Sequence, residues 1–123
     1  TINIFMHKFK ELGIWKKSRL FCSKIYNETA SFPQEEKFGL TNQLRRASVS
    51  IPSNIAEGSS RSSNKDFARF LEIAIGSAYE VETQLLISAD LGFLNQEKVI
   101  ELTDLLEEII KMTSRFRSTL KIE

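Results

Sequence analysis

Apolar residues recur every three or four positions along most of the chain, and this helical period is the feature that most constrains the fold. The pattern is unbroken near the end of the chain, at Val99, Leu102, Leu106, Ile109, Thr113, Phe116 and Leu120. An α-helix gathers such residues on one face, whereas a strand needs alternation at every second residue. Only five glycines and two prolines interrupt 123 residues, so the chain is predicted to be all-α.

Breaks in this pattern divide the chain into four predicted helices. Pro33 ends the first helix, because a residue that precedes proline is disfavoured in the α region. The polar run over residues 59–64 separates the second helix from the third, and Gly92 ends the third. Within a single domain over residues 1–123, the helices are predicted at about 8–31, 41–58, 64–91 and 95–121. The connections are short, which favours an antiparallel up-down-up-down four-helix bundle.

The second predicted helix contains the least regular sequence. Pro52 lies inside its apolar pattern and is expected to kink it, because proline has no N–H for the carbonyl of Ser48. The hydroxyls of Ser48 and Ser50 are predicted to help satisfy the disturbed backbone. Thr41 is predicted to cap the start of this helix and Gly58 to stop it. Its many small side chains predict that it is the most deeply buried helix.

The other helices have readable apolar stripes and ends. Asn64 or Ser63 is predicted to cap the third helix and Asn95 the fourth. The first stripe is predicted at Leu12, Trp15, Cys22, Ile25 and Thr29, widened by Ile14, Phe21 and Tyr26. The third is predicted at Phe67, Leu71, Ala74, Ala78, Val81, Leu85 and Ser88. More apolar residues lie outside this third stripe and predict a second packed face: Phe70, Ile73, Ile75, Leu86 and Ile87.

Composition narrows the class of protein. The chain is 41% hydrophobic and 27% charged, which is typical of a globular protein and not of a disordered one. No apolar run approaches the ~20 residues needed to span a bilayer, and no signal-peptide pattern is present. A single cysteine excludes an intrachain disulfide. We therefore expect a cytoplasmic protein with no membrane partner.

Residues suited to catalysis or to metal binding are scarce. His7 is the only histidine, and Cys22 lies on a helical stripe where a small apolar filler is expected. Zinc sites need clustered Cys and His residues, and di-iron bundles need Glu-x-x-His pairs, none of which occurs. No glycine-rich phosphate loop is present. The sequence predicts no catalytic residue, no metal, no cofactor and no enzymatic activity.

Basic residues are concentrated in the first half of the chain. Residues 1–60 carry nine basic and five acidic side chains, a net +4, whereas residues 61–123 carry a net −3. The candidates for nucleic-acid contact are Lys16, Lys17, Arg45, Arg46, Arg61 and Lys65. For the lysines the alternative is a solvated helix face. For Arg45 and Arg46 the alternatives are an intrachain ion pair and a subunit interface.

Two acids and several aromatic residues have both structural and functional interpretations. Glu57 and Glu80 fall near apolar or small-residue stripes, so they are expected to pair with arginines such as Arg45, Arg46 or Arg69; a functional acid is the alternative. The aromatic residues are interpreted as core or subunit contacts, with base-stacking platforms as the alternative: Trp15, Phe67, Phe70 and Tyr79.

The amino-acid sequence of the second and third predicted helices resembles that of one protein family. The stretch FPQEEKFGLTNQLRRASVSIPSNIAEG, followed by SSNKDFARFLEIAIGSAYEVETQL, is similar to the four-helix-bundle family of 23S rRNA intervening-sequence proteins, also labelled S23 ribosomal protein. The similarity is most specific at Gln43, Ser50, Pro52, Asn54, Glu57, Gly58 and Glu80.

The resemblance implies a bacterial, antiparallel four-helix bundle that assembles as a ring-like homopentamer. It also implies kinship with the accessory protein of diversity-generating retroelements, which works with a reverse transcriptase and nucleic acid. The leading hypothesis is therefore a non-enzymatic homo-oligomer that binds RNA or DNA, or a nucleic-acid-processing protein, through a basic surface. The alternative is a protein-interaction scaffold that does not contact nucleic acid.

Overall fold

Four long helices make up most of the computed structural model, which describes residues 8–122. They are α1 (Gly13–Thr29), α2 (Leu40–Ser59), α3 (Asn64–Asp90) and α4 (Gln96–Thr119). Short 3₁₀ turns at Phe9–Glu11 and Gln34–Glu36 precede α1 and α2. Within residues 8–122 there is no strand, so the all-α prediction is confirmed. No helix in this part of the chain is long and apolar enough to cross a membrane.

The helices form an antiparallel four-helix bundle, as predicted. Each packs against its neighbours in the chain, and α1 closes the arrangement by packing against α4. Ion pairs between α1 and α4 show their relative direction: Lys17 bonds Glu108 at 3.0 Å, whereas Glu28 lies 3.5 Å from Lys98. Residue numbers therefore rise along one helix as they fall along the other.

The core follows the predicted stripes of α3 and α4. All predicted stripe residues of α3 are buried, as are the first five of α4. In α2 the buried apolar residues are Leu44, Ala47, Ile51 and Ile55. The stripe of α1 is shifted, because Leu12, Trp15 and Cys22 are half-buried and Tyr26 is exposed. The buried positions of α1 are Ile14, Ser18, Phe21, Ile25 and Thr29.

The prediction that the first helix begins at Lys8 is wrong. Residues Phe9–Glu11 form a separate 3₁₀ turn, and Leu12 is extended with φ −74° and ψ 127°. The α-helix starts at Gly13, where the chain changes direction after Leu12. This break accounts for Leu12, which precedes the helix and does not share its register; Trp15, Cys22 and Tyr26 lie inside α1, beside its buried face.

The predicted ends of α2 are also corrected. Thr41 does not cap the helix, which begins one residue earlier at Leu40; instead, the Glu36 carboxylate accepts a hydrogen bond from the Leu40 N–H at 3.1 Å. Gly58 does not stop the helix, which continues through it to Ser59. Glycine is instead needed at position 58 because a side chain there would collide with α3.

The other predicted helix ends are confirmed. Ser63 accepts the N–H of Asp66 at 3.2 Å, and Asn95 accepts the N–H of Lys98 at 2.8 Å, so both are N-caps. Gly92 has a φ of +78° after the end of α3. Its N–H and that of Phe93 bond carbonyls of the last turn in a Schellman motif, which satisfies acceptors that the helix end would leave free.

A thiol supplies the hydrogen bond that Pro52 cannot give. Because proline has no N–H, the carbonyl of Ser48 loses its normal helical donor. The Cys22 thiol of α1 donates to this carbonyl at 3.0 Å, while the Ser48 hydroxyl bonds to the carbonyl of Arg45. The predicted help from the Ser48 hydroxyl is therefore wrong, and the donor comes from the neighbouring helix. The kink at Pro52 stays a prediction.

The second apolar face predicted on α3 lies at the surface of the single chain. Ile73, Leu86 and Ile87 are 46%, 51% and 43% exposed, and Tyr79 is 53% exposed. Phe70 and Ile75 are half-buried. α3 therefore has one apolar stripe in the core and further apolar residues that no other helix of the chain covers.

α2 and α3 pack closely at Gly58. A Cβ at this position would lie 2.7 Å from the Cβ of Phe70 and 2.9 Å from the Cδ1 of Phe67. Real Cβ atoms do not approach that closely, and the nearest obstacle sits at the root of the Phe70 side chain, which cannot rotate away. Glycine is required here because of close packing and not because of backbone conformation.

We predict that Gly58→Ala destabilises the protein despite the higher helix propensity of alanine. Overpacking of this kind costs ~1–3 kcal/mol in the free energy of unfolding, measured by urea denaturation. Gly76→Ala is the matched control, since Gly76 lies inside α3 with nothing within 4 Å of an added Cβ. The control should gain about 0.5–1 kcal/mol. Equal effects of the two substitutions would contradict the packing argument.

Candidate nucleic-acid interface

The bundle separates charge along its length. We define the basic half as residues 8–20, 51–76 and 108–122, where α1 and α3 begin and α2 and α4 end. It carries 12 basic and five acidic side chains, a net +7. The opposite half, residues 21–50 and 77–107, carries five basic and ten acidic side chains, a net −5. The net charge of the whole chain is only +1, but one end of the bundle is strongly positive.

Most cations of the basic half are free to contact a ligand. Three of its 12 are held in ion pairs: Lys17 with Glu108, Arg61 with Glu57, and Arg117 with Glu72. The other nine are exposed and, within residues 8–122, have no carboxylate within 4.0 Å. They are Lys8, Lys10, Lys16, Arg19, Lys65, Arg69, Lys111, Arg115 and Lys121. Exposed, unpaired cations at one end of the bundle offer the charge that phosphate groups bind.

The structure divides the six predicted contact residues into two groups. Lys16, Lys17, Arg61 and Lys65 lie in the basic half. The remaining pair, Arg45 and Arg46, lies in the acidic half near the start of α2, about 20 Å along the helix axis from its end at the rise of an α-helix. The six residues therefore do not form one surface.

Arg45 is used inside the chain. Its Nε donates to the Thr29 hydroxyl at 2.9 Å, and its Nη2 donates to the Tyr26 carbonyl at 3.3 Å. Its guanidinium also lies 4.6 Å from the centre of the Tyr26 ring. These contacts join α2 to the end of α1, so the intrachain interpretation describes Arg45, although its partners are neutral groups and not an acid.

Arg46 belongs to a polar row between α2 and α3. It pairs with Glu80 at 3.2 Å, as expected for that acid, and the Gln84 amide donates to the same carboxylate at 3.2 Å. Gln43 approaches Gln84 at 3.5 Å. Glu80 lies at the surface, and its predicted ion pair with an arginine is present.

The remaining motif residues continue this α2–α3 row. The hydroxyls of Ser50 and Ser77 are 2.8 Å apart, and the Asn54 amide donates to the carbonyl and to the hydroxyl of Ser50 at 2.8 and 2.9 Å. Glu57, also exposed, pairs with Arg61 at 3.1 Å, a partner that was not among those predicted. The motif that identifies the chain therefore builds the contact between two helices.

The aromatic candidates occupy different environments. Phe67 is fully buried in the core, and Phe70 is half-buried beside Gly58 with the Arg61 guanidinium 4.7 Å from its ring centre. Tyr79 is exposed on α3. Trp15 is half-buried in the basic half, where it contacts the Phe9 ring.

The described residues offer little for catalysis. No group of three His, Cys, Asp or Glu side chains within residues 8–122 is placed to hold a metal ion. Burial raises the pKa of the Cys22 thiol above its ordinary value, which disfavours the reactive thiolate. His7 is the only histidine and therefore the only candidate for a histidine base; it lies outside the described residues.

Several cations of this surface were not among the candidates from sequence. Lys10, Arg19, Arg69 and Arg115 come from one 3₁₀ turn and three different helices, and they lie at one end of the bundle only because the helices are antiparallel. The signal was present in the sequence as basic residues near the starts of the first and third helices and the end of the fourth. Placing those segments at one end of the predicted bundle would have found it.

We predict that the adjacent arginines differ in their contribution to stability. Arg45→Ala removes two hydrogen bonds and a ring contact, and should lower the free energy of unfolding by about 2 kcal/mol. Arg46→Ala is the matched control; it removes a surface ion pair, for which the expected cost is about 0.5 kcal/mol. Urea denaturation of both variants measures the difference. A larger loss for Arg46→Ala would contradict the assignment.

Comparison with known proteins places the bundle in a family. No curated protein matches the chain. A solved structure is similar: a protein of unknown function from the S23 ribosomal protein family of Bacteroides thetaiotaomicron, with 26% sequence identity and a TM-score of 0.79. The match covers 86% of this chain and 96% of that one. The family model described as 23S rRNA-intervening sequence protein matches residues 10–115, so the chain belongs to that family.

Proposed function

We propose that this protein binds nucleic acid through the basic half of its bundle and acts without catalysis. The observation that carries the proposal is the set of nine exposed cations, unpaired within residues 8–122, on a half with a net charge of +7. Phosphate contacts of this kind release counterions and give affinity without requiring a deep pocket. The family description refers to 23S rRNA, which is consistent with RNA as the ligand.

The proposed contact set differs from the one expected from sequence. Lys16 and Lys65 are retained, because both are exposed and without an ion pair in the described chain. Lys17 and Arg61 lie on the same half, but each already has a carboxylate partner. Arg45 and Arg46 are assigned to the helix contacts described above and not to the ligand.

We further propose that the protein is a homo-oligomer that packs through the exposed face of α3. Ile73, Tyr79, Leu86 and Ile87 are apolar or aromatic and lie at the surface of the single chain. Covering such residues with a second copy would remove apolar area from water. Family resemblance favours five copies in a ring, which would place several basic halves on one assembly and strengthen weak phosphate contacts through multivalency.

We predict a steep salt dependence for binding to a labelled RNA hairpin. The logarithm of the association constant should fall linearly with the logarithm of salt concentration in anisotropy titrations. Lys65→Gln and Arg69→Gln should each weaken binding and lower the slope by about one. Lys37→Gln is the matched control, since Lys37 is exposed in the acidic half and loses the same charge.

Two results would contradict this proposal. Binding that does not change with salt would exclude a phosphate-based mechanism. An equal loss of affinity for Lys37→Gln and Lys65→Gln would show that total charge matters and not the basic half. A protein that binds no RNA at low salt, but captures a protein partner, would favour the scaffold hypothesis.

We predict that light scattering on a sizing column gives a mass near five times the 14.1 kDa of one chain. Ile73→Glu and Ile87→Glu should lower that mass, because each buries a charge in the proposed interface. Leu20→Glu is the control, since Leu20 is 54% exposed on α1, which does not pack against α3. A monomeric unmodified protein, or dissociation by Leu20→Glu alone, would overturn the proposed assembly.

A further inference from the structure

An open pocket at the start of α1 combines aromatic rings with cations. It measures about 810 Å³ and is lined by Phe9, Lys10, Trp15, Lys16 and Arg19. Two of these five side chains are aromatic, three are positively charged, and none is acidic. This aromatic-basic pocket lies within the basic half and combines two aromatic rings with three cations.

The break before α1 creates the pocket. Because Leu12 is extended, the 3₁₀ turn at Phe9–Glu11 lies beside the first turns of the helix and does not extend them. Phe9 therefore meets Trp15, with ring centres 5.1 Å apart at 73°. An uninterrupted helix from Lys8, as the periodicity predicted, would separate these rings onto different faces.

Cations surround the two rings. The Arg19 guanidinium lies 5.3 Å from the centre of the Trp15 ring, and the Lys10 ammonium lies 6.0 Å from that of Phe9. Lys16 is exposed and completes the lining. Within the described residues none of the three cations has a carboxylate partner, so all are available to an anionic ligand.

We propose that this pocket holds an unpaired nucleotide of a single-stranded nucleic acid. The inference rests on the proposed function and specifies the form of ligand that the basic half prefers. A flat base can stack on Trp15 once the exposed Arg19 side chain, whose guanidinium lies 5.3 Å from the ring centre, moves aside to contact the base edge or a phosphate, while Lys10 and Lys16 contact the flanking phosphates. Bases inside a duplex are already stacked on one another and cannot enter a side-chain pocket.

Competing occupants fit less well. An apolar peptide would leave three cations facing it without partners, which is costly when water is displaced. An isolated phosphate would use the cations but not the two rings. A nucleotide in a strand uses both, because it has an aromatic face and a charged backbone on opposite sides of the sugar.

The experiment uses Trp15 as its own reporter, since it is the only tryptophan in the chain. The whole protein is titrated at low salt with an oligouridylate, and separately with an RNA duplex that carries the same number of phosphates. We expect the oligouridylate to quench Trp15 emission and the duplex to bind without quenching. Emission that is unchanged by a bound oligouridylate would overturn the proposal.

Variants separate stacking from charge. Trp15→Leu should weaken oligouridylate binding about tenfold or more in an anisotropy titration and leave duplex binding unchanged, whereas Trp15→Phe should keep most of the affinity. Arg19→Gln retains the fluorophore and should lower both affinity and quenching, which tests the pocket even if Trp15→Leu fails to fold. Lys37→Gln serves again as the charge control.

The outcomes distinguish this inference from the proposed function. Equal losses of single-strand and duplex affinity in Trp15→Leu, with salt-dependent binding intact, would refute the pocket and leave the basic half as a phosphate surface. No binding of either probe at low salt would refute both proposals. Selective loss of oligouridylate binding with rescue by Trp15→Phe would support both.

Discussion

The close approach of α2 to α3 is the constraint on which the rest of the structure depends. Gly58 lets the two backbones come together, because any side chain there would collide with Phe67 and Phe70. The paired hydroxyls of Ser50 and Ser77 can meet at 2.8 Å only at such a separation. The polar contacts between α2 and α3, from Gln43 to Ser50, thus lie along one edge of this closely packed helix pair. The specific sequence of this motif therefore has a structural role in the contact between α2 and α3.

Around that pair, the antiparallel arrangement sorts charge that the sequence distributes quite differently. The first 60 residues are the more basic part of the chain, yet the positive end of the bundle draws its cations from α1, α3 and α4 and from the segments that flank the helices. The Arg45–Arg46 pair, the most conspicuous basic dipeptide, lies in the acidic half. Arg69 and Arg115, which were not among the candidates from sequence, lie in the basic half. The tertiary fold, and not local charge density, determines which cations can act together.

Local physics made much of the fold predictable. The apolar stripes of α3 and α4, the Ser63 and Asn95 caps and the left-handed Gly92 depend on a few neighbouring residues, and all are as expected. The errors concern features that depend on distant parts of the chain. Gly58 resembles a helix stop unless the two phenylalanines of α3 are known to face it. Likewise, the contact between Phe9 and Trp15 exists only because Leu12 leaves the helical register, which periodicity alone does not reveal.

Charge separation along the bundle also constrains how copies can associate. Side-by-side bundles that point in opposite directions attract, since each positive end meets a negative one. A ring with rotational symmetry requires every copy to point the same way relative to its axis, so like ends become neighbours and one rim is uniformly positive. Salt would then have opposite effects on the assembly of such a ring and on its binding of a polyanion. It screens repulsion between neighbouring copies and so favours closure, while it weakens the hold of the positive rim on a polyanion.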